Sequence, residues 1–345
     1  MKKIIFCTYL IAQFLSCSNS EMDDANNFLV KNDDQGELKS FENLRVKAEE
    51  TNDIEDWINL ASFCKEESNF ECALDAAAKS FRLDSTNLEA RKLYAWSLIN
   101  KPEPPLIDIE RAKRHFKYVL SIQPKEAQTM IELANAYSLT GDFENSFLLI
   151  NNALKINDRL RDAYILKGSN YRVVGNYKLA LSSYQTAVQM DPDHFMSNLQ
   201  TAYLLTEMEN HQLALEYYMN AVSIKPESIE AIYGVAKSYQ DMGLYDEAQA
   251  TYRNLLDVDN RFFIAYFNQG FIKQYYINEL DSAAYYYNLC LEVQPEYVKA
   301  WHQLGETYRV QGRNYEAAKA YTEVLQLNPN YEPTLVAKEK LRKAK

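Results

Sequence analysis

Glycine and proline are scarce, with nine of each in 345 residues. Both residues punctuate chains, so an all-β fold with a turn every ~8–12 residues is excluded. Histidine is scarcer still: His115, His194, His211 and His302 are the four, and they lie far apart. No HExxH, GxSxG, Walker-type or dinucleotide-binding glycine pattern occurs, so no catalytic constellation, phosphate cradle or cofactor is expected. Five cysteines and four histidines fit neither the number nor the spacing of a zinc site. Long basic runs are missing too, and the formal net charge is −11, which argues against nucleic acid because phosphate neutralisation needs a basic face. Only the tail from Lys338 to Lys345 is basic. Hydrophobic residues make up 47% and charged residues 25%, the balance of a folded chain with a sizeable core.

The most apolar stretch, Ile4 to Ser16, is too short to span a bilayer but has the length of a secretory signal core behind Lys2 and Lys3. It ends at Cys17. The tetrapeptide Phe14-Leu15-Ser16-Cys17 resembles a bacterial lipobox, which implies cleavage before Cys17 and acylation of that residue, although the pattern prefers leucine where Phe14 stands. Ordinary secretion with Cys17 unmodified is the alternative. Residues 1–16 are therefore expected to be a signal peptide. Residues 17–53 would be a lipid-anchored acidic tether with a possible capping helix near Leu38–Glu50, on a protein of the bacterial cell envelope, at the outer membrane. Residues 18–56 hold twelve acids against four bases, weakly resembling the acidic tag that sends some Gram-negative lipoproteins to the cell surface. A solvated spacer is the plainer reading.

From residue 54 onward the chain repeats. The last unit reads Trp301-x2-Leu304-Gly305-x2-Tyr308, then Ala317-x3-Tyr321, then Pro329. Stepping back gives units 54–87, 88–126, 127–160, 161–194, 195–228, 229–262, 263–297 and 298–331, with five extra residues in the second and one in the seventh. Position 8 of each is Ala61, Ala95, Ala134, Gly168, Ala202, Ala236, Gly270 or Gly305, small enough for two helices to close on each other. Position 20 is alanine except at Ser146, and position 24 carries large knobs from Phe116 to Tyr321. Glycines 141, 175, 243 and 312 occupy position 15, where a left-handed residue ends the first helix. Prolines recur at position 32, between repeats.

In spacing and residue type these units resemble the tetratricopeptide repeat (TPR) family. The resemblance implies an all-α fold: a right-handed α-solenoid of about eight TPR helix-turn-helix repeats. Residues 332–345 would form a C-terminal capping helix with a basic tail, turning Leu335, Val336 and Leu341 toward the last repeat. It also implies a concave groove lined by positions 2, 5, 9, 12 and 13 of the first helices, which commonly takes a peptide or partner helix. Carried over residue by residue, the groove would expose Trp96, Asn100, Asn135, Arg172, Tyr203, Tyr233, Phe267, Phe271, Gln274, Tyr275, His302, Glu306 and Arg309. Asn135 matches one asparagine of the carboxylate clamp some TPR domains use, but Ile131 stands where that clamp needs lysine.

Tyrosine numbers 26, and Tyr233, Phe267, Phe271 and Tyr275 form the candidate aromatic patch for a partner. The one-residue insertion in repeat 7 and Ile277 at its turn position are expected to shift the helices there. The insert Lys101-Pro102-Glu103-Pro104-Pro105 should protrude as a stiff extended loop. Cys290 reads as packing, while Cys64 and Cys72 flank one turn and either pair or remain two buried thiols. The expected function is a non-catalytic interaction scaffold or adaptor that binds a protein or peptide, contacts the membrane through its anchor and binds no nucleic acid. An accessory subunit that recruits substrate to an envelope enzyme or secretion machine is the alternative, as is a self-assembling solenoid.

Overall fold

Short polar side chains start many of the helices by accepting a hydrogen bond from a free backbone N–H in the first turn. Asn87 accepts from the amides of Glu89 and Ala90 at 2.9 and 3.0 Å, and Asp53, Asn69, Asp142, Asn210 and Ser228 act alike. The computed structural model describes residues 34–343, in which every regular element is helical: 18 α-helices and one π-helical turn. The expected signal peptide, Cys17 and the first part of the acidic segment, through residue 33, lie outside the described residues.

Two compact units divide at Ser183 and Tyr184. The first holds α1 (Asp34–Thr51), α2 (Ile54–Glu66), α3 (Phe70–Leu83), α4 (Leu88–Asn100), α5 (Leu106–Ile122), α6 (Ala127–Leu139), α7 (Phe143–Ile156) and α8 (Arg161–Val173). Helix α9 (Tyr177–Met190) runs through the division. The second unit holds α10 (Phe195–Glu207), α11 (His211–Ile224), α12 (Ile229–Asp241), α13 (Tyr245–Val258), α14 (Phe263–Ile272), α15 (Leu280–Val293), α16 (Val298–Val310), α17 (Asn314–Leu327) and α18 (Glu332–Lys343).

Within each unit, first helices pack on their own second helices, and second helices on the next first helix, as with α2 on α3 on α4, and α16 on α17. Cores made this way belong to pairs of neighbours, the hallmark of a solenoid. A left-handed residue stands in each turn between paired helices, namely Ser68 (φ 57°), Glu103 (46°), Gly141, Gly175, Glu209 (59°), Gly243, Asn278 (61°) and Gly312.

Small and large positions mate directly. A Cβ on Gly305 would lie 2.5 Å from Cε1 of the fully buried Tyr321, so the ring fills the space that glycine leaves. The same holds for Gly270 and Tyr287. Ser146, the exception at position 20, is fully buried but satisfied, bonding to the Ser138 hydroxyl and Asn170 Nδ2 at 2.8 Å each.

The two insertions are handled differently. In repeat 2, α5 has 17 residues where the second helices of repeats 3 and 4 have 14, so the insert adds a helical turn (Leu106-Ile107-Asp108) as well as a loop. The loop is less uniformly extended than expected, because Glu103 is left-handed between Lys101 and Pro105. In repeat 7 the extra residue becomes the π-helical turn Lys273–Ile277. Asn278, not Ile277, supplies the positive φ.

At the ends, α1 buries Ala48 against repeat 1 with Phe41 and Leu44 beside it, and begins at Asp34, earlier than the capping helix expected near Leu38. Helix α18 turns Thr334, Ala337 and Leu341 inward. Leu341 faces as expected, whereas Leu335 and Val336 are exposed because they fall on the opposite side of the helix. Cys64 and Cys72 are joined in a disulfide across the α2–α3 turn, their Cα atoms 5.8 Å apart. Cys290 is buried and free, its thiol pushed up to about 12 by burial.

Candidate interaction surface

Position-24 tyrosines carry a hydroxyl into the core, and a buried hydroxyl needs a partner. The first helix of the same repeat supplies it. Tyr252 donates to Gln240 Oε1 at 2.9 Å, Tyr287 to Gln274 Oε1 at 2.8 Å, and Tyr321 to Glu306 Oε1. Tyr218 bonds Thr206 Oγ1 at 3.2 Å. Gln274 is therefore buried and committed to Tyr287, which corrects its expected place in the groove. Burial resists ionisation of Glu306, but bonds from Arg309 and Tyr321 outweigh it and hold the carboxyl below its usual range. Arg309 in turn is engaged by Glu306, with Nη2 at 2.7 Å.

His302 is also less available than expected. Its Nδ1 lies 2.8 Å from Thr334 Oγ1 on α18 and its ring sits edge-on to Tyr331, with centroids 5.5 Å apart. Burial lowers its pKa. The C-terminal helix thus covers a position that the repeat pattern leaves open.

The aromatic positions of the second unit fall into two ring clusters. Tyr233 packs edge-on against Phe262 at 5.6 Å, and its hydroxyl accepts from Asn268 Nδ2 at 3.5 Å. Phe267 lies 5.3 Å from Tyr297 and 6.4 Å from Phe271, and Phe271 lies 4.6 Å from Tyr275. All are half-buried except Tyr275, which is 52% exposed and donates to Gln303 Oε1 of α16 at 2.8 Å. Phe262 and Tyr297 were not among the expected groove residues because they sit in the connections between repeats, for which helix positions offer no signal. Tyr203 stands apart, T-shaped on Tyr218 at 5.8 Å.

In the first unit, Trp96 is half-buried on Phe70 with Lys65 Nζ 4.8 Å from its ring centroid. Asn100 is turned back to the Trp96 carbonyl at 2.8 Å. Asn135 and Arg172 are half-buried, and Ile131 is buried. Glu132, which repeat position did not flag, has its carboxyl pushed up by burial, with the Lys65 charge opposing. A cleft between α1 and α3 is floored by Trp57, with Lys79 Nζ 4.3 Å from that ring's centroid.

No group of three metal-ligating side chains occurs among the described residues. What the second unit offers is a row of partly exposed rings edged by amides, able to bury apolar side chains and bond a peptide backbone.

Models described as tetratricopeptide repeat match residues 165–229, 229–262 and 298–331. Human tetratricopeptide repeat protein 6 is 22% identical over 195 residues, 55% of this chain; the match spans 36% of that protein's length. The C-terminal part of a TPR repeat-containing protein from Cytophaga hutchinsonii superimposes with a TM-score of 0.58 at 17% identity, covering 66% of this chain and 93% of that one. The Cut9–Hcn1 hetero-tetramer of the APC/C gives 0.53 at 15% identity over 79% of this chain and 52% of the matched one. PilW, a widely conserved type IV pilus biogenesis factor, gives 0.51 at 17% identity over 61% of this chain and 97% of its own. Helix pairs of this kind recur in both units, and the matches at 229–262 and 298–331 coincide with single 34-residue units: the chain carries tetratricopeptide repeats in an all-helical TPR solenoid fold.

Proposed function

We propose that this protein is a non-catalytic interaction scaffold of the bacterial envelope, which takes a peptide or partner subunit on the aromatic row of repeats 6 to 8. The observation that carries the reading is a pair of ring clusters, Tyr233–Phe262 and Tyr297–Phe267–Phe271–Tyr275, within each of which neighbouring rings lie 4.6–6.4 Å apart while remaining partly exposed. Rings left open in this way are costly to keep in water and are enriched at interface centres. An envelope location is supported by the signal-like run before Cys17 and by the Cys64–Cys72 disulfide, a bond that persists in oxidising compartments. PilW, a relative in fold, is a pilus biogenesis factor. Lipid attachment at Cys17 and an outer-membrane address belong to the same proposal.

The test is affinity capture from gently solubilised envelopes, comparing the wild type with Phe271→Ala/Tyr275→Ala. These two are preferred because Tyr233 and Phe267 pack on core clusters and their removal would disturb the fold. A specific partner lost while the thermal melt stays within a few degrees supports the reading. A partner retained at wild-type level by a folded variant overturns it.

A further inference from the structure

Helix α5 has an outer face unlike its surroundings. Leu106 and Ile107, on the turn added by the insert, are 64% and 65% exposed. About two, three and four turns further on, Arg114, then Lys117 and Tyr118, then Ile122 are exposed as well. At ~100° per residue these six, together with Glu110 and Arg111, spread over an arc of about 160° centred near Arg114. Apolar and cationic groups therefore share one side of a single helix.

Its charge runs against that of the chain. Residues 101–125 contain six bases (Lys101, Arg111, Lys113, Arg114, Lys117, Lys125) and three acids (Glu103, Asp108, Glu110), a balance of +3 in a chain of −11. The acids are used locally: Asp108 holds Lys101 and Arg111, and Glu110 holds Lys113. Arg114 and Lys117 pair with no acid among the described residues. Arg91 adds a further cation, its guanidinium 3.9 Å from the Tyr118 ring centroid.

The geometry points to a membrane-surface contact: the outer face of α5 lies on an anionic bilayer, with Leu106, Ile107 and Ile122 entering the headgroup boundary and Arg114 and Lys117 meeting lipid phosphates. Charge complementarity selects the occupant. A chain this acidic is repelled by an anionic surface unless a basic face is presented, and apolar side chains interleaved with cations match the headgroup boundary. The insert then has a role, because its extra turn carries the apolar tip beyond the end of an ordinary second helix. The inference rests on the envelope reading only for where such a surface is met. A chain that never leaves the cytoplasm would still show the lipid preference in vitro, so the two fail separately.

The test is flotation of the full chain with vesicles of phosphatidylcholine alone or mixed with phosphatidylglycerol. Any N-terminal anchor acts on both, so the difference between them isolates electrostatic docking. Wild type should favour the anionic vesicles, and the preference should shrink as salt rises. Arg114→Glu/Lys117→Glu should cut it by about 25-fold or more, at about fivefold for each cation. Leu106→Ser/Ile107→Ser should weaken binding to the anionic vesicles, and melts at pH 7 should stay within a few degrees of wild type, because all four side chains are exposed and Lys117 gives up only a surface contact with the Tyr137 ring, 5.4 Å away. Equal partitioning of wild type between the vesicles overturns the proposal. So does loss of the preference in Lys340→Glu/Arg342→Glu on α18 in place of the α5 variant. An α5 variant that keeps the lipid preference but loses an acidic polypeptide overturns it in favour of a protein partner.

Discussion

Repeats 2 and 7 each carry an insertion at the same point of the unit, and the fold treats them in opposite ways. Five residues suffice to leave the helix pair and return, so repeat 2 extrudes them as a proline-bearing loop and an added turn, leaving Ala95, Ala112 and Phe116 fully buried. A single residue cannot loop out, and repeat 7 absorbs it by widening one helical turn. The consequence reaches neighbouring repeats: Tyr276 stacks on Tyr245 of repeat 6 at 4.3 Å, and Tyr275 reaches Gln303 of repeat 8. Length thus decides whether an insertion decorates a solenoid or becomes part of its packing.

The largest effect should come from breaking the absorbed insertion at its anchor. Tyr287 is fully buried against Gly270 and bonded to Gln274 within the widened turn. Tyr287→Ala should cost about 3–5 kcal/mol in urea unfolding, and a loss under 1 kcal/mol would mean the π-helical turn is not held by that ring.

Repeat 2 carries a pH dependence of its own. His115, edge-on to the stacked rings of Phe81 and Tyr94, is lowered from 6.5 to about 4 by burial and by the charges of Arg91, Arg114 and Arg111. Between those values the unfolded chain takes up a proton that the folded one refuses. The stabilisation is therefore complete above about pH 6.5 and is lost as pH falls toward 4. Melting temperatures across that window should fall by the equivalent of about 1–2 kcal/mol, part exposure of the ring being allowed for, and should fall less in His115→Phe.

Smaller effects separate the two turns. Glu103 and Asn278 both hold positive φ, but asparagine tolerates that region and glutamate does not. Glu103→Gly should raise stability by about 0.5–1 kcal/mol and Asn278→Gly by a few tenths, a ranking that paired denaturation curves would reverse if the loop of repeat 2 relaxes in solution. Smallest of all, deleting Pro102 and Glu103 together should change stability by less than about 0.5 kcal/mol, since loop length enters only logarithmically. A larger loss would show that the extruded loop packs after all.

Much of the candidate surface was visible beforehand, and its exceptions share one cause. Tyr233, Phe267, Phe271 and Tyr275 lie close along one side of repeats 6 and 7 because residues at fixed steps on successive helices share a face. Gln274 and His302 obey the same steps yet are withdrawn, one by the hydroxyl of Tyr287 and the other by Thr334 of α18. Four of the 26 tyrosines share one physical account. A position-24 ring that fills the core also needs an acceptor, and Thr206, Gln240, Gln274 and Glu306 provide one in four successive repeats.

Sequence by itself determined the class of fold and the repeat period. Helix starts, left-handed turns and small-against-large packing are settled among residues a few dozen positions apart at most, and so leave a periodic trace. Tertiary structure alone decided that Cys64 meets Cys72, that one extra residue widens a turn while five build a cationic, apolar-tipped face, and which polar groups are spent inside. Those outcomes depend on where side chains from different helices arrive in space, and a distance between helices has no counterpart in the order of residues along a chain.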